Sequence, residues 1–148
     1  MQDYVFNDSN IKWSRLDVFD NFEYSILNVD HDNKVIDVLF RFAANNPIVL
    51  HRHCAVNHTF VIQGEHCLYH PDGRLKERRQ TGSYTISQPD EEPHTECGGD
   101  TPVVVLFSIR GTDGVMYQIL SEQQEIIAEL GFEEFEMLYQ QQFEPAAL

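Results

Sequence analysis

The sequence predicts one all-β domain, an antiparallel sandwich or barrel, and two observations support that prediction. Between about residues 23 and 109, short runs of alternating apolar and polar residues follow one another, separated by segments that contain Gly, Pro, Asn or Asp. Six or more short strands at this spacing are typical of antiparallel sheets, and not of parallel sheets with crossover helices. A chain of 148 residues, 42% of them apolar, can bury one sizeable core and is short for two.

The strands are recognised by their period of two. In NKVIDVLFRF the apolar residues at 36, 38, 40 and 42 share one face, and Asp37 and Arg41 lie on the other. Turn residues are concentrated in VDHDNK, NNP, HPDGR, PDEEP and CGGDTP. The other predicted strands, in chain order, are EYSILNV, PIVLHRH, HTFVIQG, HCLYH, GSYTIS and PVVVLFSIR.

The C-terminal part of the chain predicts helices. Ser121 and Gln124 form a capping-box pattern, and the apolar stripe at 126, 127 and 130 stops at Gly131. A second helical period begins at Phe132. We expect a single domain over 1–148, with a barrel over about 20–118 and two short helices within about 121–142. Their apolar residues predict a homo-oligomer, most simply a two-fold dimer.

Charge and composition exclude several classes of function. The net charge is −14, with 24 acidic and 10 basic residues, and would repel nucleic acids and acidic membrane surfaces. The sequence has no apolar run of 18 residues and no signal-peptide pattern at its start, so we expect no membrane partner and a cytoplasmic location. Three cysteines without C-x-x-C spacing predict reduced thiols.

Three histidines in HRHCAVNH predict a metal site. His51 and His53 point the same way in a strand, and a turn over 54–57 would return His58 to the same face. His94 follows a later strand and turn and is the fourth candidate. Neutral imidazoles that converge on an apolar interior need a shared partner. Imidazole nitrogen suits one divalent iron, zinc, manganese, nickel or copper ion, whereas calcium and magnesium prefer oxygen.

Other polar and aromatic residues are weaker candidates. We interpret His31, His66 and His70 as structural or exposed histidines. Glu96 is one of several side chains that could orient a ligand. Four aromatic side chains near the histidines are the candidates for contact with a substrate: Phe42, Phe60, Tyr84 and Phe107.

The two histidine segments resemble the two motifs of the cupin superfamily. HRHCAVNHTFVIQG begins with HxH and ends at Gly64, and GSYTISQPDEEPHT begins at Gly82, has Pro89 in its turn and reaches His94. The similarity covers about residues 35 to 110. It implies a double-stranded β-helix, the jelly-roll barrel of the cupins.

More narrowly, the motifs resemble small single-domain cupins of the acetylacetone dioxygenase and dihydroxyacetophenone dioxygenase type. That resemblance implies a non-haem iron(II) enzyme that cleaves a carbon–carbon bond with O2, with His51, His53 and His94 as metal ligands. Most cupins have Glu at the position of His58. Here a fourth imidazole would leave the metal charge uncompensated and favour an enolate ligand. We expect His58 to be catalytic, because it must vacate a position if O2 is to bind beside the substrate.

The sequence therefore predicts an iron(II) dioxygenase that acts on a small β-dicarbonyl or hydroxy-ketone, with that small molecule and O2 as its partners. Two alternatives stay open. One is a non-oxidative metal cupin, an isomerase, cyclase or lyase, in which zinc or manganese polarises a carbonyl group. The other is a zinc-binding sensor module similar to the cupin domain of ChrR-type anti-sigma factors.

Overall fold

The computed structural model describes residues 4–89, 92–111 and 114–144, which contain eleven strands and one helix. In chain order they are β1 Phe22–Asp30, β2 Val35–Phe42, β3 His51–His53, β4 Val56–Gln63, β5 His66–Tyr69, β6 Leu75–Arg79, β7 Tyr84–Ser87, β8 Thr95–Gly98, β9 Val103–Arg110, β10 Val115–Leu120, β11 Ile126–Gly131 and α1 Phe132–Gln141.

The strands form three antiparallel sheets. The largest has the order β1-β2-β9-β4-β7, and two three-stranded sheets have the orders β11-β10-β3 and β6-β5-β8. The pairings within all three sheets are antiparallel. The predicted all-β antiparallel fold class is therefore confirmed.

The core follows from the alternation of apolar residues in the central strands. In β2, Ile36, Val38 and Phe42 are buried on the inner face. In β9 the matching set is Val103, Val105, Phe107 and Ile109, all buried. Side chains from β1, β10 and α1 complete one continuous apolar cluster. Burial of these strand faces is the main force that stabilises the sheets against each other.

The chain passes from β3 to β4 without changing which side chains face inward. The odd-numbered residues from 51 to 61 are all buried, and each even-numbered residue between them is more exposed. Cys54 donates a backbone hydrogen bond to Met116 O at the point where the chain leaves one sheet for another. The period of two therefore continues through the segment that we expected to reverse the chain.

The first of the two predicted C-terminal helices is wrong. Residues Ile126–Gly131 form β11, which pairs antiparallel with β10. Ser121 Oγ accepts a hydrogen bond from Glu125 N in the turn before β11, and Gln124 has φ 64°. The capping-box pattern marks a hairpin turn here, because β10 offers a free edge and Ile126 and Ile127 favour strands. The second predicted helix is present as α1.

Most apolar residues of the C-terminal segment are used within the chain itself. Phe132 and Phe135 are buried in the core, and Leu138 packs against it. Ile126 and Ile127 stay exposed. The helix thus covers its own barrel, and the expected dimer stays a prediction with less apolar surface to support it. In the described ranges no helix is long and apolar enough to cross a membrane.

The free edge of β1 is covered by both ends of the chain. Ser14 and Tyr24 exchange two backbone hydrogen bonds, of 2.8 and 2.9 Å. At Ile26 the side-chain amide of Gln142 accepts from the backbone N at 2.7 Å and donates to the backbone O at 2.9 Å. The Gln142 amide therefore takes the place of one residue of a neighbouring strand, next to the irregularity between Ile26 and Asn28.

Candidate metal centre

Three histidines and one glutamate meet in the interior. His51 and His53 lie two residues apart on β3, so both side chains point inward. An isolated antiparallel bridge joins His51 to His94, through backbone hydrogen bonds of 3.1 and 3.0 Å. Glu96 follows His94 at the same spacing of two and lies on β8. The centre is thus built by backbone pairing between β3 and the segment that leads into β8.

These four side chains can present one ligand atom each to a common point. Their imidazole nitrogen and carboxylate oxygen atoms all lie within 4.8 Å of one another, and all four residues are buried. The rings of His51 and His53 stack at 5.4 Å between centroids, and the His94 ring lies edge-on to both, at 4.6 and 4.7 Å. Such convergence of buried titratable groups indicates a functional site.

Glu96 is the hydrogen-bonding hub of the centre. Its Oε2 lies 2.8 Å from His51 Nε2 and 3.0 Å from His94 Nε2, and its Oε1 lies 2.8 Å from His66 Nε2. Burial alone would raise the pKa of Glu96, but the hydrogen bonds from these three imidazoles hold that pKa well below its usual range. Glu96 is therefore a carboxylate at neutral pH.

The two histidines of β3 have different environments. Burial disfavours the His51 imidazolium, but the hydrogen bond and charge of Glu96 outweigh burial and raise the pKa of His51. His51 Nδ1 donates to Val49 O at 2.9 Å, which turns Nε2 towards the centre. Burial and the neighbouring His94 and His51 hold the pKa of His53 well below its usual range. His53 is thus neutral, as a metal ligand must be.

A divalent transition metal fits these residues. His53 Nε2 is buried and has no hydrogen-bond partner, which is unusual for a buried polar atom. A metal ion would use the Nε2 lone pair and would replace the proton between His51 and Glu96. Three imidazoles and one carboxylate suit iron, manganese, nickel or zinc, and do not suit magnesium or calcium. The centre can therefore hold one such ion through His51, His53, His94 and Glu96.

The structure does not bring His58 to this centre. His58 lies on the outer face of the five-stranded sheet and hydrogen-bonds through Nδ1 to the hydroxyl of Tyr84. The reason is the unbroken alternation from β3 into β4, which turns Asn57 and Thr59 inward and His58 outward. Glu96, not His58, is the fourth member, so the centre includes the carboxylate that we expected it to lack.

The four aromatic candidates divide between the two faces of the sheet. Phe60 and Tyr84 are exposed and line a cavity on the outer face with His58. Phe42 and Phe107 are buried beside the centre, where Phe42 stacks on His66 at 5.6 Å and Phe107 lies edge-on to His53 at 6.5 Å. Only Phe42 and Phe107 lie where they can shape a site at the metal centre.

We did not predict from the sequence that Glu96 and His66 belong to the metal centre. His66 is fully buried and hydrogen-bonds to Glu96 Oε1, so of the two roles that we predicted, structural or exposed, it has the structural one. The spacing of two between His94 and Glu96 was the available signal, since the alternation that pairs His51 with His53 also pairs these two residues.

Two cavities reach the centre. One, of about 70 Å³, is lined by apolar and aromatic side chains together with His51 and Glu96. The other, of about 160 Å³, is lined by polar groups that include His53, His94 and Arg79. A ligand at the centre can therefore meet an apolar and a polar environment.

No protein-family model matches the sequence, and no curated protein does either. Solved structures do match the fold. An RmlC-like cupin from Ralstonia eutropha has a TM-score of 0.71 at 12% identity, over 95% of this chain and 87% of that one. An acetylacetone dioxygenase from Acinetobacter johnsonii has a TM-score of 0.69 at 14% identity, over 96% and 93%. The DMSP lyase DddQ from Ruegeria pomeroyi has a TM-score of 0.60 at 18% identity, over 79% and 64%. The resemblance predicted from the two histidine motifs is confirmed: this chain has the cupin fold, in common with acetylacetone dioxygenases.

Proposed function

We propose that the protein is an iron(II)-dependent dioxygenase that cleaves a carbon–carbon bond in a small β-dicarbonyl or hydroxy-ketone. The observation that carries the proposal is the buried group of His51, His53, His94 and Glu96, which two cavities of different polarity adjoin. The fold that this chain shares with an acetylacetone dioxygenase is compatible with this chemistry.

The three histidines would hold the metal, and Glu96 would complete or adjust its coordination. Bound iron(II) would supply a chelating site for an enolate and the electrons that O2 requires. Val49 O fixes the ring of His51, and His66 fixes one oxygen of Glu96. Both contacts keep the ligand atoms aimed at one point, as residues that support a metal site do.

Glu96 would also accept a proton from the substrate. A β-dicarbonyl compound must lose a proton to become an enolate, and Oε2 of Glu96 is a carboxylate oxygen at the centre itself. The apolar cavity beside His51 excludes water from the place where this oxygen would accept the proton. We therefore assign Glu96 the role of base.

The test is oxygen consumption by the iron form. Protein loaded anaerobically with iron(II) and mixed with a β-diketone should develop a charge-transfer absorption band. When air is admitted, O2 should be consumed in equal amount with substrate, and the substrate should give two carboxylic or carbonyl products. His53→Ala should abolish the band and the O2 uptake, whereas His58→Ala should leave both unchanged, because His58 lies on the outer face.

A non-oxidative lyase is the second candidate, and Glu96 is the observation in its favour. A carboxylate oxygen at the centre that serves as a base, together with a metal that polarises a carbonyl, needs no O2. The DMSP lyase among the structural neighbours has the same fold. Turnover of substrate by the zinc form under anoxia, together with no O2 uptake by the iron form, would favour this candidate over the dioxygenase.

A further inference from the structure

The polar cavity next to the centre contains groups that the protein itself leaves unsatisfied. Among the described residues, three buried side-chain polar atoms have no hydrogen-bond partner: His53 Nε2, His66 Nδ1 and Arg79 Nε. All three residues line the cavity of about 160 Å³. A metal ion accounts for His53 Nε2, but not for the other two. Because buried polar groups are almost always paired, the cavity has the character of a site for a polar ligand.

Arg79 is the unusual member of this set. It is only 8% exposed, at the end of β6, and arginine is rarely buried unless it is paired. Its guanidinium donates to Thr59 Oγ1 at 3.3 Å and to Glu77 Oε2 at 3.1 Å. Arg79 Nε lies 3.1 Å from Glu77 Oε1 without forming a hydrogen bond. Glu77 thus faces the planar donor fork of Arg79 with both oxygens, and the same fork suits the carboxylate of a ligand.

Glu77 is a replaceable partner for Arg79. The Glu77 side chain is 44% exposed, so it can turn to water at low cost. Arg79 has no comparable route to solvent and stays beside the cavity whatever Glu77 does. An anionic ligand could therefore take over the contacts that Glu77 now makes.

The charge around the cavity favours an anion once a metal is bound. Lys76 also lines the cavity, and with Arg79 and a divalent ion it outweighs the negative charges of Glu77 and Glu96. The surface carboxylates that give the chain its charge of −14 act mainly from a distance, where salt screens them beyond roughly 8 Å. The cavity is thus a local positive site in an acidic protein.

We propose that the substrate carries a carboxylate, and that Arg79 binds this carboxylate in the polar cavity while the oxo groups of the substrate face the metal centre. The inference rests on the proposed function and narrows its substrate class from neutral dicarbonyl compounds to oxo acids. The cavity volume of about 160 Å³ accommodates a carboxylate with a few neighbouring atoms. His66 Nδ1 faces the same cavity as an acceptor for a hydroxyl group of the ligand or for a water molecule, because Nε2 donates to Glu96.

The test compares 2,4-dioxopentanoate with its methyl ester, which keeps the dicarbonyl group and removes the charge. Binding of each compound to zinc-loaded protein is measured by calorimetry, after the zinc content of each variant has been verified. Zinc is redox-inert, so the readout is a dissociation constant and not a turnover. We expect the wild-type protein to bind the acid at least about tenfold more tightly than the ester.

Comparison of the Arg79→Gln and Arg78→Gln variants distinguishes direct contact with the substrate carboxylate from a general effect of positive charge. Both remove one positive charge from β6, but Arg78 is 60% exposed and pairs with Glu65. Arg79→Gln should reduce the preference for the acid by about tenfold, and Arg78→Gln should not. Glu77→Gln, at an exposed position, should tighten binding of the acid and leave the ester unchanged. It tests the proposal even if Arg79→Gln does not fold.

Each outcome has a defined meaning. Equal binding of acid and ester by the wild-type protein, or equal effects of the two arginine variants, would overturn the carboxylate inference and leave the metal site intact. A preference that persists in Arg79→Gln and is unchanged in Glu77→Gln would also overturn it, since the metal alone would then explain that preference. No binding of either compound by zinc-loaded protein would overturn both this inference and the proposed dicarbonyl chemistry.

Discussion

Replacement of Glu96 by Gln should lower the free energy of unfolding of the metal-free protein by about 3 kcal/mol at pH 7. Glu96 accepts hydrogen bonds from three imidazoles, those of His51, His66 and His94, all of them buried. A hydrogen bond to a charged acceptor contributes roughly 1 kcal/mol more than a neutral one. Three such bonds lose their charge in the variant, and the amide also presents a donor where the wild-type protein has only acceptors.

The assay is urea denaturation of metal-free protein, followed by circular dichroism, with Glu65→Gln as the control. Glu65 is half-buried and contacts Gln80, Arg78 and Cys67, so its replacement makes the same change in net charge and should cost under about 1 kcal/mol. Because the pKa of Glu96 is lowered on folding, its contribution is present above pH 4.5 and is lost as the pH falls further. The curves of wild type and variant should therefore converge in acid. A Glu96→Gln cost no larger than the control would refute the assignment of Glu96 as the hub.

Three other predictions concern separate parts of the chain. His53→Ala should abolish retention of zinc or iron, measured by elemental analysis after dialysis, whereas His58→Ala should retain the wild-type amount; equal loss in both would contradict the placement of His58. Because the pKa of His53 is lowered on folding, the unfolded chain takes up a proton near pH 6.5 and the folded one does not. As the pH is lowered from 6 to 5, the free energy of unfolding of the metal-free protein should thus fall by about 1 kcal/mol. The His53→Gln variant should show a smaller dependence on pH. A dependence that the substitution leaves unchanged would argue against a neutral His53. Finally, Gly64→Ala should lower the free energy of unfolding by roughly 2 kcal/mol more than Gly73→Ala does, as measured by thermal or urea denaturation. Both glycines have positive φ, but only at Gly64 would a Cβ atom lie 2.8 Å from Pro102 O. Equal costs of the two substitutions would show that backbone strain alone decides.

The parts of the fold that the sequence predicts well are those with a strong local pattern. β2 and β9 are rich in apolar residues that alternate or fill the core, and both were predicted from sequence. β6, with the sequence LKERR, carries no apolar alternation and was missed. The helix predicted over β11 failed for the opposite reason: its local signal was present, but pairing with β10 decided the outcome.

The only part of the candidate site that the sequence predicts is the part that follows from alternation within a single strand. His51 and His53 share a face because the period of two is a property of a single strand. The predicted placement of His58 depended on a turn over 54–57, and an error of one residue in register moves a side chain to the opposite face of the sheet. Glu96 is one of 24 acidic residues, and it reaches the centre because the backbone bridge between His51 and His94 places the strand that carries it beside β3. The metal ligands therefore require the register of the sheets as well as the sequence.

The contacts of Ser14 and Gln142 with β1 have a consequence for the behaviour of the protein in concentrated solution. β1 is the edge strand of the largest sheet, and an uncovered edge strand presents backbone donors and acceptors that template pairing with another molecule. The backbone groups of Tyr24 and Ile26 that would act as this template are already bonded to the two ends of the same chain. A chain shortened before residue 142 would expose the groups at Ile26. The side chain of Gln142 thus protects β1 from edge-to-edge aggregation, although it lies more than a hundred residues along the chain from that strand.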